Sequence, residues 1–261
     1  MSDTPTLELR GISKSFGSVQ ALTDVDFEVR AGEVMSLVGD NGAGKSTLIK
    51  CIAGIHAIDA GEVFFEGQPV NITGPKEAAR LGIEVVYQDL ALCDNLDVVQ
   101  NMFLGREAHD SLQRLKEPVM EQKTAETLKS LAVTTIRSIR QPVATLSGGQ
   151  RQSVAVARAV MWNSKLVMLD EPTAALGVAQ TEQVLALVKR LAEQGLAVVL
   201  ISHNLHDIFA VAHRITVLRL GRSIGVYQRT ETTQQELVQA ITAGVPTKVS
   251  GIPGTGEEDE A

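Results

Sequence analysis

Two periods of hydrophobic spacing run along this chain. Residues 7–12 and 26–30 alternate apolar with polar side chains, as half-buried strands do. Residues 34–38, 84–87, 166–169 and 197–201 are instead short runs dominated by Val, Leu, Ile and Met, the composition of strands covered on both faces. Helical spacing marks 47–53, 75–81, 118–131, 154–162, 178–193 and 233–243, and Pro75 suits a first helical turn. Short strands are expected at 62–65, after the turn Asp59-Ala60-Gly61, and near 214–218 and 223–227. Strands alternating with helices predict an α/β fold with a mainly parallel sheet covered on both faces. From about 89 to 163 strand signals are missing, so a helical subdomain is expected to interrupt the sheet. The main domain therefore reads as 1–244. The acidic stretch 245–261 is poor in apolar residues and is expected to be disordered.

Composition narrows the function classes. Across 261 residues the net charge is −7, which argues against a nucleic-acid binder that works by neutralising phosphates. The two cysteines, Cys51 and Cys93, lie in apolar surroundings without metal-ligand spacing and read as reduced thiols. No apolar run reaches the ~18–20 residues of a membrane span. The first residues lack the basic and apolar regions of a signal peptide, so an unexported protein is expected.

The strongest chemical signal is Gly39-Asp40-Asn41-Gly42-Ala43-Gly44-Lys45-Ser46, which fits G-x-x-x-x-G-K-[ST]. It follows one apolar strand and opens a helix that continues through Thr47, the context the motif requires. Glycines let the chain turn so that several N–H groups point inward, and the helix adds its positive end. Lys45 is expected at the β- and γ-phosphates of a nucleotide, and the Ser46 hydroxyl at Mg²⁺. The strand 166–169 ends in Asp170 and Glu171. Ligands sit beyond the carboxyl ends of strands in such sheets. Asp170 is thus placed to help hold Mg²⁺, and Glu171 to orient or deprotonate a water. Ser147, Gly148, Gly149 and Gln150 precede a further helix and form a second candidate anion site.

Leu146-Ser147-Gly148-Gly149-Gln150, beside such a loop and an apolar strand ending in Asp-Glu, resembles the signature of ABC-type ATPases. The resemblance covers about residues 7–244. It implies a P-loop NTPase core with an antiparallel β subdomain and an inserted helical subdomain, and ATP with Mg²⁺ as ligands. It also implies roles for Phe16, stacked on adenine; for Gln88, touching Mg²⁺ and the catalytic water; and for His203, at the γ-phosphate. Two such units pair head to tail in this family, the P-loop of one facing the signature of the other, so a second subunit, expected to be identical, is implied. One departure stands out: after Glu171-Pro172-Thr173 the family reads Ser-Ala-Leu-Asp, whereas here the residues are Ala174-Ala175-Leu176-Gly177.

The stretch Asn101-Met102-Phe103-Leu104-Gly105-Arg106-Glu107 and its surroundings are similar to monosaccharide importers of the ribose, xylose and fructose type, most of all to the single-unit fructose type. That resemblance implies an energy-coupling ATPase at the cytoplasmic face of the inner membrane. Its partners would be transmembrane permease subunits, contacted through 89–101, and a periplasmic sugar-binding protein. The competing expectations are the ATPase of an exporter, or a soluble ABC-type machine.

Overall fold

The computed structural model describes residues 4–244; the expected disordered tail at 245–261 lies outside them. An antiparallel sheet is built from β1 (Leu7–Phe16), β2 (Val19–Val29), β4 (Ala60–Phe65) and β5 (Gln68–Val70), in the order β2-β1-β4-β5. The larger sheet contains β3 (Val34–Val38), β6 (Ile83–Val86), β7 (Leu166–Asp170), β8 (Ala197–Ile201), β9 (Arg214–Arg219) and β10 (Arg222–Gln228). Its order is β10-β9-β3-β8-β7-β6, parallel throughout except for β10, which runs antiparallel at the edge.

The continuous apolar runs are explained by burial on two sides. Along β7, Leu166 and Met168 face the antiparallel sheet and α1 (Lys45–Ile52). Val167 and Leu169 face α5 (Gly148–Val160) and α6 (Val178–Glu193). All four are fully buried. Each such side chain contributes roughly 1.5–3 kcal/mol by leaving water, so a polar residue at any of them would cost both faces. The remaining helices are α2 (Pro75–Leu81), α3 (Val98–Phe103), α4 (Glu117–Ser130), α7 (Leu205–Val211) and α8 (Gln234–Ala243).

Between β6 and β7 the chain forms the helical block of α3, α4 and α5. Asp97 caps α3 through a reciprocal capping box with Gln100. Arg140 then ties that cap to α4, bonding Asp97 at 3.0 Å, Glu117 at 2.6 Å and Glu121. Helix α5 starts at Gly148, earlier than its apolar spacing suggests, because Ser147 and Gln150 form a second capping box that offsets the poor propensity of two glycines.

Register decides where the chemistry lies. Leu37, Ile201 and Asp170 share one rung of the parallel sheet, and Val86 lies level with Leu169 beside them. The chain therefore leaves β3, β6, β7 and β8 along one common edge.

Candidate active site

From β3 the chain turns into the loop 39–46. Gly39 adopts φ 153°, and a Cβ there would lie 2.1 Å from the Leu218 carbonyl oxygen of β9. Gly44 adopts φ 103°, and its Cβ would meet Leu22 at 2.8 Å and the Ala21 oxygen at 2.9 Å. Both the dihedral and the space demand glycine at these positions. Lys45 opens α1 and donates from Nζ to the carbonyls of Gly39 (2.6 Å) and Asp40 (3.0 Å). Burial pushes its ammonium pKa down, and the charges of Glu171, Asp40 and Asp170 oppose that shift. Ser46 is exposed on the first turn, and Thr47 is half-buried beside it.

At the end of β7, burial pushes the Asp170 carboxyl pKa up; Glu171 adds to the shift, and Lys45 and Lys50 counter it. Glu171 itself lies in the left-handed region at φ 51°, an unusual setting for a non-glycine residue. Its N–H donates to the Ile201 oxygen at 2.9 Å, which extends the β7–β8 ladder and fixes the backbone. The Glu171 Oε2 then sits 2.8 Å from His203 Nδ1, on the loop after β8. Gln88 is exposed just beyond β6.

The start of the loop, Gln88, Glu171 and His203 converge on one cleft, whereas Lys45, Ser46, Thr47 and Asp170 lie outside its lining. That cleft, of about 610 Å³, is bordered by Gly39, Asp40, Asn41, Gln88, Glu171, Ser202 and His203, with Leu205, Val238, Ile241 and Thr242 on its far wall. The contribution of α8 was not visible in the sequence, because no motif marks Val238 or Ile241 within the helical spacing of 233–243. Nor was the bond from Thr173 Oγ1 to the buried carboxylate of Asp207 (2.6 Å), which pins the loop after Glu171 to α7. Gly42, Ala43 and Gly44 complete the loop beside the cleft.

Other expected residues lie apart from it. Phe16 is 44 % exposed at the end of β1, which rules out a core role for it. Its ring meets His56 edge-on at 5.0 Å, with the Lys14 ammonium 5.4 Å from its centroid. His56 thus supports an aromatic platform. Ser147, Gly148, Gly149 and Gln150 cap α5 and do not line the cleft of their own chain. Gly148 and Gly149 lie against Leu176 and Gln180, so the loop leaving Glu171 touches the signature helix within one chain. Gly177 is the N-cap of α6 in an extended conformation, with open space where a side chain would project.

The Asp170 environment has a consequence for stability. A carboxyl whose folded pKa is raised stabilises the fold in its protonated form, at low pH, and that contribution is lost as pH rises through the raised value. At neutral pH its charge is therefore a cost. Asp170→Asn is expected to melt above the parent protein at pH 7, with the difference vanishing below the ordinary carboxylate range. Equal melting temperatures at pH 7 would contradict the burial argument.

The ABC transporter family matches residues 22–174, from β2 past Glu171. The fructose import ATP-binding protein FrcA of Rhizobium meliloti is 45% identical over 248 residues, spanning 93% of this chain and 95% of that one. The xylose/arabinose import ATP-binding protein XylG of Sulfolobus acidocaldarius is 46% identical over 250 residues, spanning 96% and 98%. Among solved structures, the dimeric post-hydrolysis state of the ATP-binding cassette MJ0796 bound to ADP and Pi superposes with a TM-score of 0.71. That match has 27% identity and covers 85% of this chain and 98% of that one. With a match over more than half its length and relatives similar from end to end, the chain belongs to the ABC transporter family.

Proposed function

We propose that the protein is the ATP-hydrolysing, energy-coupling subunit of a monosaccharide importer, for fructose or a related sugar. The observation that carries this reading is the convergence of the P-loop, Gln88, Glu171 and His203 on one cleft, in a chain that aligns end to end with ATP-binding proteins of sugar import. Catalysis is then a matter of positioning and of charge. Lys45 and the loop amides neutralise the β- and γ-phosphates. Glu171 orients the attacking water and accepts its proton, and His203, held by Glu171, supports the γ-phosphate. Phe16 supplies a flat face for the base.

The Ser46 hydroxyl, the Gln88 amide oxygen and the Asp170 carboxylate are hard oxygen donors, and Asp170 stands next to a second carboxylate, Glu171, with Lys45 and Lys50 countering the effect on it. That donor set and surplus negative charge fit Mg²⁺. When bound, the ion neutralises charge developing on the phosphate oxygens.

Because Ser147, Gly148, Gly149 and Gln150 lie outside their own chain's cleft, a second copy would bring its signature to the phosphates, as a head-to-tail homodimer requires. The segment 89–101 and the adjoining helical block would meet the transmembrane permease at the cytoplasmic membrane face, with the sugar carried by a separate periplasmic binding protein. Among the described residues, no helix is long and apolar enough to cross a membrane. The test is ATP turnover by the chain assembled with its permease in vesicles. Addition of the loaded binding protein is expected to raise turnover severalfold. A complex whose turnover ignores every monosaccharide would remove the importer assignment.

A further inference from the structure

Arg158 lies in the last turn of α5, and its side chain is spent on a loop. Nη1 donates to the Ala91 oxygen and Nη2 to the Leu90 oxygen, both at 2.9 Å. Among the described residues no carboxylate touches this guanidinium. Glu84, which acts on it at longer range, is bonded to Arg106 at 3.0 Å. Burial accordingly lowers its pKa. A half-buried cation paired only with two neutral carbonyls is a costly arrangement, and what it secures is the backbone two and three residues beyond Gln88. Leu90 and Leu92 also rest on the helical core, but apolar contact is non-directional. The planar fork of Arg158 is what fixes the orientation of the carbonyls. Ala91, between them, is held in the left-handed region at φ 47°.

The opposite end of the same helix is capped by Ser147. Ser147 and Arg158 are separated by about 16 Å at 1.5 Å per residue. One straight rod therefore carries the signature at its start and grips the Gln88 loop at its end.

We propose that Arg158 is a positioning residue for ATP turnover: its fork yokes the loop bearing Gln88 to the signature helix, so that the two move as one body. This rests on the ATPase reading of the cleft.

The experiment uses the full chain in complex with its permease and compares the parent protein with Arg158→Lys, which keeps the charge and loses the two-pronged donor. The KM for ATP is expected to change less than twofold while kcat falls about tenfold, the scale of a slightly misplaced catalytic group. A second measurement needs no ATP. Cys93 lies two residues past Ala91, whereas the other thiol, Cys51, is buried with its pKa pushed up to about 11. The Cys93 N–H and oxygen are also held by the buried Asn101 (2.7 and 3.0 Å), so alkylation by iodoacetamide reads opening of the loop beyond that tie, and it is expected to run severalfold faster in Arg158→Lys, as a freed segment opens more often. A drop in melting temperature with kcat and Cys93 labelling both unchanged would show a merely structural arginine and overturn the proposal. If Arg158→Lys does not fold, Arg158→Gln, which removes the buried charge and keeps a single amide donor, is expected to lower kcat and speed labelling in the same sense; no change in either overturns it. A parent complex that turns over no ATP defeats the ATPase reading instead, and Cys93 labelling still decides the tether.

Discussion

Exchanging Lys45 for alanine is expected to reduce ATP turnover by about a hundredfold or more, the scale of one lost preorganised charge contact. The ammonium is already folded over the loop, bonded to the Gly39 and Asp40 carbonyls at 2.6 and 3.0 Å. Little reorganisation separates that position from phosphates lying on the same loop. Removing it leaves the amides of residues 39–46, and the more distant Lys50, to offset the carboxyl groups at the end of β7. The fold should survive, because burial disfavours this charge in the folded state. A melting temperature at or above that of the parent, together with lost turnover, is the expected pair of results. Phosphate release measured at saturating ATP decides the matter: near-normal turnover in a folded Lys45→Ala protein would remove the loop from the mechanism.

Glu171→Gln is expected to lower turnover by about 10²–10³-fold, within the range that a positioned general base supplies. The substitution keeps the shape, the left-handed backbone and the N–H bond to Ile201, so nucleotide binding should persist. What disappears is the group proposed to accept the proton of the attacking water. ATP then accumulates uncleaved between two copies, and light scattering should report a stable dimer that appears only with ATP. Monomers at every ATP and protein concentration would count against the paired arrangement. Undiminished turnover would count against Glu171 as the base.

Much of this site was legible because its signals are local. The loop 39–46, the strand ending in Asp170 and Glu171, and the apolar run before His203 each declare themselves within about ten residues. The sheet order was not written in any such window, since it depends on which runs share a rung. Short elements also escaped. Helix α3 spans six residues and is identified by the Asp97–Gln100 capping box more than by spacing. Helix α7 has seven residues, and β5 has three, one of them Pro69. The first half of β2 is broken by Gln20 and Thr23, so its alternation is weak. At α5 the apolar spacing begins only at Val154, and the reciprocal bonds of Ser147 and Gln150 start the helix earlier, across two glycines. Long-range polar ties such as Arg140 with Asp97, or Arg158 with Leu90, join positions 43 and 68 residues apart and leave no periodic trace.

The crowding around Gly39 and Gly44 bears on how the molecule spends a hydrolytic cycle. Leu218 of β9 abuts one glycine and Ala21 and Leu22 of β2 the other, while the Gly221 N–H holds the Ala43 oxygen at 3.1 Å and the Gly221 oxygen takes the Thr23 N–H at 2.8 Å. Both sheets thus mould the loop proposed to cradle the phosphates as part of folding. Its shape is inherited from the scaffold, and successive nucleotides meet a finished receptacle. On the proposed mechanism, free energy released at the γ-phosphate need not rebuild that receptacle and stays available for displacing a partner on the helical block.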